Sequence, residues 1–205
     1  DGVIATSELV GRTVKSAQAC IAPDSFRRVT EAKQVANIKF LIQQANLRKS
    51  ELKNNSVTEF VELLKKINAD KEGLNLNNIE ISAYASPDGG VELNDKLANQ
   101  RQKNTEKYVD QQLKKAELAD ANVDAKYTAQ DWEGFQELVQ ASNIQDKDVI
   151  LRVLSMYKDP EERERQIKNM SAGFRELADG ILPQLRRSRM TINYEVIGRD
   201  DDPIL

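Results

Sequence analysis

The stretch Ile79-Glu-Ile-Ser-Ala-Tyr-Ala-Ser-Pro-Asp-Gly89, followed by Asn94, Leu97 and Arg101, constrains the fold of this chain more than any other. It predicts a strand, a tight turn and a helix whose first turns carry Asn94 and Arg101. Those two residues are seven apart, close to two helical turns, so their side chains leave one face and look back toward the turn at Ser86 to Gly90. An asparagine amide, a guanidinium fork and the free N–H groups of a helix start together favour a ligand carrying a carboxylate. The same residues also fit an ordinary amphipathic helix, with Arg101 a solvated charge and Asn94 a first-turn polar residue.

Around this segment the periodicities alternate between two and 3.6 residues. From Ala36 to Gln43, Ile38, Phe40 and Ile42 alternate as in a half-buried strand. Ser56-Val-Thr-Glu59 fits a capping box, and Val57, Phe60, Val61, Leu64 and Ile67 form the apolar stripe of a helix. A start near Ser50, with Asn54-Asn55 as an irregular turn, fits as well. Asp70 to Asn77 is a polar loop before the strand from Ile79 to Tyr84. The next helix starts near Val91 and carries Leu93, Leu97, Tyr108, Val109 and Leu113, with an almost wholly polar middle that suits partial cover. Val123, Ala125 and Tyr127 mark a third strand.

The segment from about 129 to 182 is helical throughout, with one stripe at Trp132, Phe135, Leu138 and Val139 and another at Val149, Ile150, Val153 and Leu154. Asp159-Pro160 caps a helix carrying Ile167, Met170, Phe174 and Leu177. These stripes suit packing against the sheet or each other, and Trp132 and Phe135 alternatively suit a partner surface. A last strand places Met190, Ile192 and Tyr194 on one face and Thr191, Asn193 and Glu195 on the other. The fold class is therefore α+β, a two-layer β-α-β-α-β sandwich with a helical insertion before the final strand and helices on one face. Arg186, Arg187 and Arg189 at the start of that strand either bring positive charge to the pocket or form a solvated basic patch.

Three of these segments carry a family resemblance. Ile38 to Phe40 with Ala45-Asn-Leu47, Ile79 to Val109, and Arg189-Met-Thr-Ile-Asn-Tyr194 resemble the OmpA-like C-terminal domain, a family that binds peptidoglycan. The Ala85-Ser-Pro-Asp-Gly89 variant resembles Bacteroides-type members. The resemblance implies a mixed sheet, no catalytic activity, no cofactor and a place at the periplasmic face of the outer membrane. It also implies a pocket for the diaminopimelate residue of the stem peptide, held by an aspartate after the second strand and an arginine in the following helix. The arginine corresponds to Arg101, but the aspartate position holds Ser86, whose hydroxyl makes a weaker neutral bond than a carboxylate.

Three outcomes follow from that departure: Asp88 supplies the missing charge, the ligand is held mainly through its carboxylate by Arg101, or binding is lost and the fold kept. The candidate ligand residues are Arg101, Asn94, Asp88, Ser86 and Gly89, with Gly90 shaping the turn, and the resemblance favours Arg189 over Arg186 or Arg187. The glycines equally suit turn geometry alone. The alternative function is an assembly module that contacts other envelope proteins through the helical insertion and keeps a vestigial pocket.

Composition removes several other classes. A net charge of −3, with 30 Lys+Arg against 33 Asp+Glu, gives no reason to expect nucleic acid. Cys20 is the only cysteine and histidine is absent, which excludes an intrachain disulfide, a Cys/His zinc site and hydrolases that use a histidine base. Ala17-Gln-Ala-Cys20 faintly matches a lipoprotein cleavage site, but Arg12 and Lys15 interrupt its apolar stretch, so Cys20 is expected to be a small buried apolar residue. Glu161-Glu162 suits a helix start better than acid–base chemistry. Asp1-Gly2 and Arg199-Asp-Asp-Asp-Pro203 are expected to be cut ends of a longer protein, with residues 1–30 a preceding segment, 31–198 the domain and 199–205 a linker.

Overall fold

The computed structural model describes residues 28–198. Its elements are β1 (Val29–Lys39), α1 (Lys49–Leu52), α2 (Asn55–Ala69), β2 (Leu74–Tyr84), α3 (Val91–Lys115) and β3 (Val123–Thr128). Then come α4 (Trp132–Ala141), α5 (Lys147–Met156), α6 (Pro160–Lys168), α7 (Ser171–Glu176), a π-helical turn (Leu177–Ile181), α8 (Leu182–Leu185) and β4 (Arg187–Ile197). The strands form one mixed sheet in the order β1-β4-β2-β3. β4 pairs antiparallel with both β1 and β2, and β2 pairs parallel with β3. The expected α+β architecture forms.

Alternation along the strands puts Ala36, Ile38, Ile79, Ile81, Met190 and Ile192 on one sheet face, where they meet Val57, Phe60, Leu64 and Ile67 of α2 and Val109 and Leu113 of α3. Each of the larger of these side chains, Val, Leu, Ile, Phe or Met, stabilises the fold by about 1.5–3 kcal/mol when fully buried. Phe60 and Leu64 are wholly inaccessible, so α2 is held by its stripe rather than by propensity.

Three local expectations are corrected. β1 ends at Lys39, and Ile42 is 58% exposed, because the chain turns where Gln43 takes a positive φ of 55° and Gln44 donates its N–H to the Leu41 carbonyl. The cap of α2 is Asn54 and not Ser56: Asn54 Oδ1 accepts the Val57 N–H at 2.9 Å, while its Nδ2 donates to the Asn37 carbonyl at 2.9 Å. That double role ties the helix start to β1, and the Ser56 hydroxyl adds to the tie by accepting the Asn37 N–H at 3.2 Å and donating to Asn54 Oδ1 at 2.8 Å. β2 begins at Leu74, inside the expected polar loop, because Leu74 and Leu76 pack against the core and a bulge between Leu76 and Asn78 restores the register.

The insertion builds a second core of its own from Phe135, Val139, Ile150, Leu154, Ile167, Leu177, Ile181, Leu182 and Leu185. Its stripes are thus packing surfaces, although Val149 lies outward, 46% exposed. Asp159 caps α6 by accepting the Glu162 N–H at 3.1 Å, with Pro160 at the first helical position, as the sequence predicts. The helix expected to continue to Leu177 instead stops at Lys168 and restarts at Ser171. Cys20, the segment before Arg28 and the tail after Gly198 lie outside the described residues.

Because Asn54 is both the cap of α2 and its tie to β1, Asn54→Ala is expected to lower the unfolding free energy by about 1–2 kcal/mol in a urea titration. Ser56→Ala, which leaves that cap in place, is expected to change it less.

Candidate functional site

At the end of the sheet where β2 stops and β4 begins, a cleft of about 250 Å³ is lined by Ser86, Asp88, Gly89, Asn94 and Arg101, with Ile42, Leu93 and Leu97 beside them. The insertion closes its other side with Lys168, Phe174 and Arg186 at the α8–β4 junction. The seven-residue spacing on α3 does what it predicts: Asn94, Ala98, Arg101, Thr105, Val109 and Leu113 form the buried face. The helix is partly covered, as its polar middle suggests, and the covered part includes polar residues. Arg101 is 1% exposed and Thr105 wholly buried.

The cover is possible because every polar group there has a partner. Arg101 donates Nε to the Gln44 carbonyl (2.9 Å), Nη1 to the Tyr84 carbonyl (2.9 Å) and Nη2 to the Leu41 carbonyl (3.3 Å). Its guanidinium also lies over the Phe40 ring, 4.9 Å from the centroid. Thr105 donates its hydroxyl to the Arg101 carbonyl at 2.7 Å and lies 2.8 Å from the Ser188 hydroxyl, joining α3 to β4. Arg101 is therefore no solvated surface charge. It pins the loop after β1 to the end of β2, and three of its five N–H groups are used in doing so. Burial first, and then the positive charge of Arg186, pull its pKa down to about 10 against the opposing pull of Asp88, so it stays charged at neutral pH.

The turn brings Ser86, Asp88, Gly89 and Asn94 together. The Ser86 hydroxyl donates to the Asp88 carboxylate, so the acid reaches the neighbourhood of position 86. Asn94 Nδ2 donates to the Asp88 carbonyl at 3.3 Å and fixes the turn from the helix side. Gly89 has φ +101°, a conformation L side chains rarely adopt, so glycine is required there. Its N–H is not free, as a bare helix start implies: it donates to Glu164 of α6 at 2.9 Å, and Glu164 in turn pairs with Lys168 at 2.5 Å. A carboxylate from the insertion thus already sits on the amide that a ligand anion was expected to meet.

Arg189 does not join the cleft. Met190 and Ile192 face the core that contains α3, so period-two alternation sends Arg189 to the opposite sheet face, where it is exposed beside Asn37 and Lys39. That outcome was already implied by the apolar face assigned to the strand. Arg187 is also engaged elsewhere, pairing with Asp131 at 2.9 Å and stacking on Tyr84 with its carbon 4.2 Å from the ring centroid. Arg186 is the member of the basic run that enters the cleft, because it precedes the strand and leaves from the end of α8. Glu164 and Lys168 carried no sequence signal at all, since only the fold of the insertion brings α6 to the turn.

No family model matches this chain, and no curated protein matches it. Among solved structures it is similar to the OmpA-like domain of FopA1 from Francisella tularensis subsp. tularensis SCHU S4, at 13% identity and a TM-score of 0.40 over 84% of this chain and 81% of that one.

Arg101→Ala removes the donor to the Tyr84 and Gln44 carbonyls and one of the two donors to the Leu41 carbonyl, so it is expected to lower stability by about 1.5–3 kcal/mol. Chemical denaturation checks this, and a melting temperature equal to wild type would refute the pinning role.

Proposed function

We propose that the cleft is a non-covalent binding site for the peptidoglycan stem peptide, in a non-enzymatic module of an envelope protein at the periplasmic face of the outer membrane. The observation that carries this reading is the placement of one carboxylate, Asp88, and two guanidinium groups, Arg101 and Arg186, in a single cleft with an apolar wall at Ile42, Leu93 and Leu97. A diaminopimelate residue carries ammonium and carboxylate groups on an aliphatic chain, so it complements all three parts. The contact between Ser86 and Asp88 supports the first of the outcomes posed by the serine, in which the neighbouring acid supplies the charge. The family resemblance of the strand–turn–helix segment supports the same assignment. No helix among the described residues is long and apolar enough to cross a membrane. Repeated weak attachments to a polymer give useful overall affinity.

One observation favours the second reading, an assembly module for other envelope proteins. Glu164 occupies the Gly89 N–H, and the cleft residues Ile42 and Leu93 leave 58% and 50% of their surface exposed.

Co-sedimentation with insoluble diaminopimelate-type peptidoglycan separates the two, using wild type and Asp88→Asn at matched circular dichroism. Wild type is expected to pellet, and Asp88→Asn, which keeps the side-chain size and loses the charge, to bind about tenfold more weakly. Wild type remaining in the supernatant would remove the wall-binding reading and leave the assembly module.

A further inference from the structure

We propose that Arg186, rather than Arg101, is the guanidinium that grips the ligand's carboxylate, and that the cleft selects an anionic group lying directly beside a cationic one. This deepens the wall-binding reading and takes the same cleft as its starting point. The side chain of Arg186 is 10% exposed. Its backbone is fixed at the end of α8, where its carbonyl accepts the Phe40 N–H at 2.8 Å. Its Nη2 stands 3.6 Å from Asp88 Oδ2, beyond hydrogen-bond length, and its solvent-shielded Nε has no acceptor among the described residues.

The other arginines near the cleft are committed. Arg101 serves three carbonyls, and Arg187 serves Asp131. A buried guanidinium with an unused donor is costly, and a ligand carboxylate accepting from it removes that cost. The local charge points the same way: Arg101 and Arg186 face a single Asp88 in the cleft, while Lys168 is neutralised by Glu164. A ligand carboxylate on Arg186 leaves Asp88 a few ångströms away to receive an ammonium, so the arrangement matches the head group of an α-amino acid. The repulsion from Arg186 that depresses the Arg101 pKa is also relieved by an anion between them.

The test uses two soluble probes: diaminopimelate, and pimelate, which has the same carbon chain and both carboxylates but no ammonium. In calorimetric titrations Arg186→Gln is expected to weaken both probes by about tenfold or more at an unchanged melting temperature, with Arg186→Lys recovering part of the loss. Equal binding by wild type and Arg186→Gln overturns the proposal. Because Arg186 sits at the α8–β4 junction, the Nε–H resonance of Arg186 in the wild-type protein, assigned by its disappearance in Arg186→Lys, gives a reading independent of any substitution's effect on that junction. Pimelate is expected to shift it, and an unmoved resonance at saturating probe overturns the proposal. Sedimentation with peptidoglycan but no response of Arg186 to pimelate sinks this inference and leaves the wall-binding reading standing. A pimelate response without sedimentation does the reverse.

Discussion

The buried guanidinium of Arg101 is the interaction on which the site end of this molecule depends. It is fixed in α3, and it draws in carbonyls from the loop after β1 and from the last residue of β2. Two of those carbonyls lie in the turn that leaves β1 and the third at the last residue of β2, so one guanidinium fastens the turn to the end of the neighbouring strand. A lysine, with a compact ammonium instead of a planar fork, does not reach three carbonyls in these directions as readily. The Thr105 hydroxyl, bonded to the Arg101 carbonyl and close to Ser188, continues the same polar seam under the helix. The seam explains how a helix so poor in apolar residues can lie flat on a sheet.

This commitment divides the roles of the cleft residues. Arg101 holds the walls, Asn94 and Gly89 set the turn, and the charges left available are Asp88 and Arg186. The insertion supplies the second wall and one competitor, since Glu164 sits on the Gly89 amide where an external carboxylate would otherwise be favoured. A separate apolar core lets the insertion fold around Phe135, Ile150 and Leu177 without borrowing the sheet's core. Asp131 is both a cap and half of an ion pair: it accepts the Gly134 N–H at 3.0 Å and pairs with Arg187, which fastens α4 to the first residue of β4.

How much of this was legible depends on whether the physics was local. The stripe of α2, the Asp159-Pro160 start and the face of α3 bearing Asn94 and Arg101 all follow from short-range spacing, and all form. The cap at Asn54 was missed because a serine three residues before a glutamate satisfies the same local pattern, whereas in the fold the Ser56 hydroxyl is spent on Asn37 and Asn54 and it is Asn54 that accepts the Val57 N–H. Arg189 was misplaced for a different reason. Family likeness outweighed alternation, although Met190 on the core side already sends its neighbour to the other face.

The sequence by itself determined the α+β order of elements, the apolar faces, the strained glycine turn and the pairing of Asn94 with Arg101 on one side of a helix. Those properties arise from periods of two and 3.6 residues and from the conformational freedom of glycine, which act within a few residues. Only the tertiary structure decided that Arg101 is buried and bonded to carbonyls more than fifty positions away, that Arg186 shares its cleft, and that Glu164 reaches Gly89 across seventy-five residues. Partners so distant in the chain are chosen by how the sheet and the insertion pack, and no local pattern encodes the desolvation and hydrogen bonding that result.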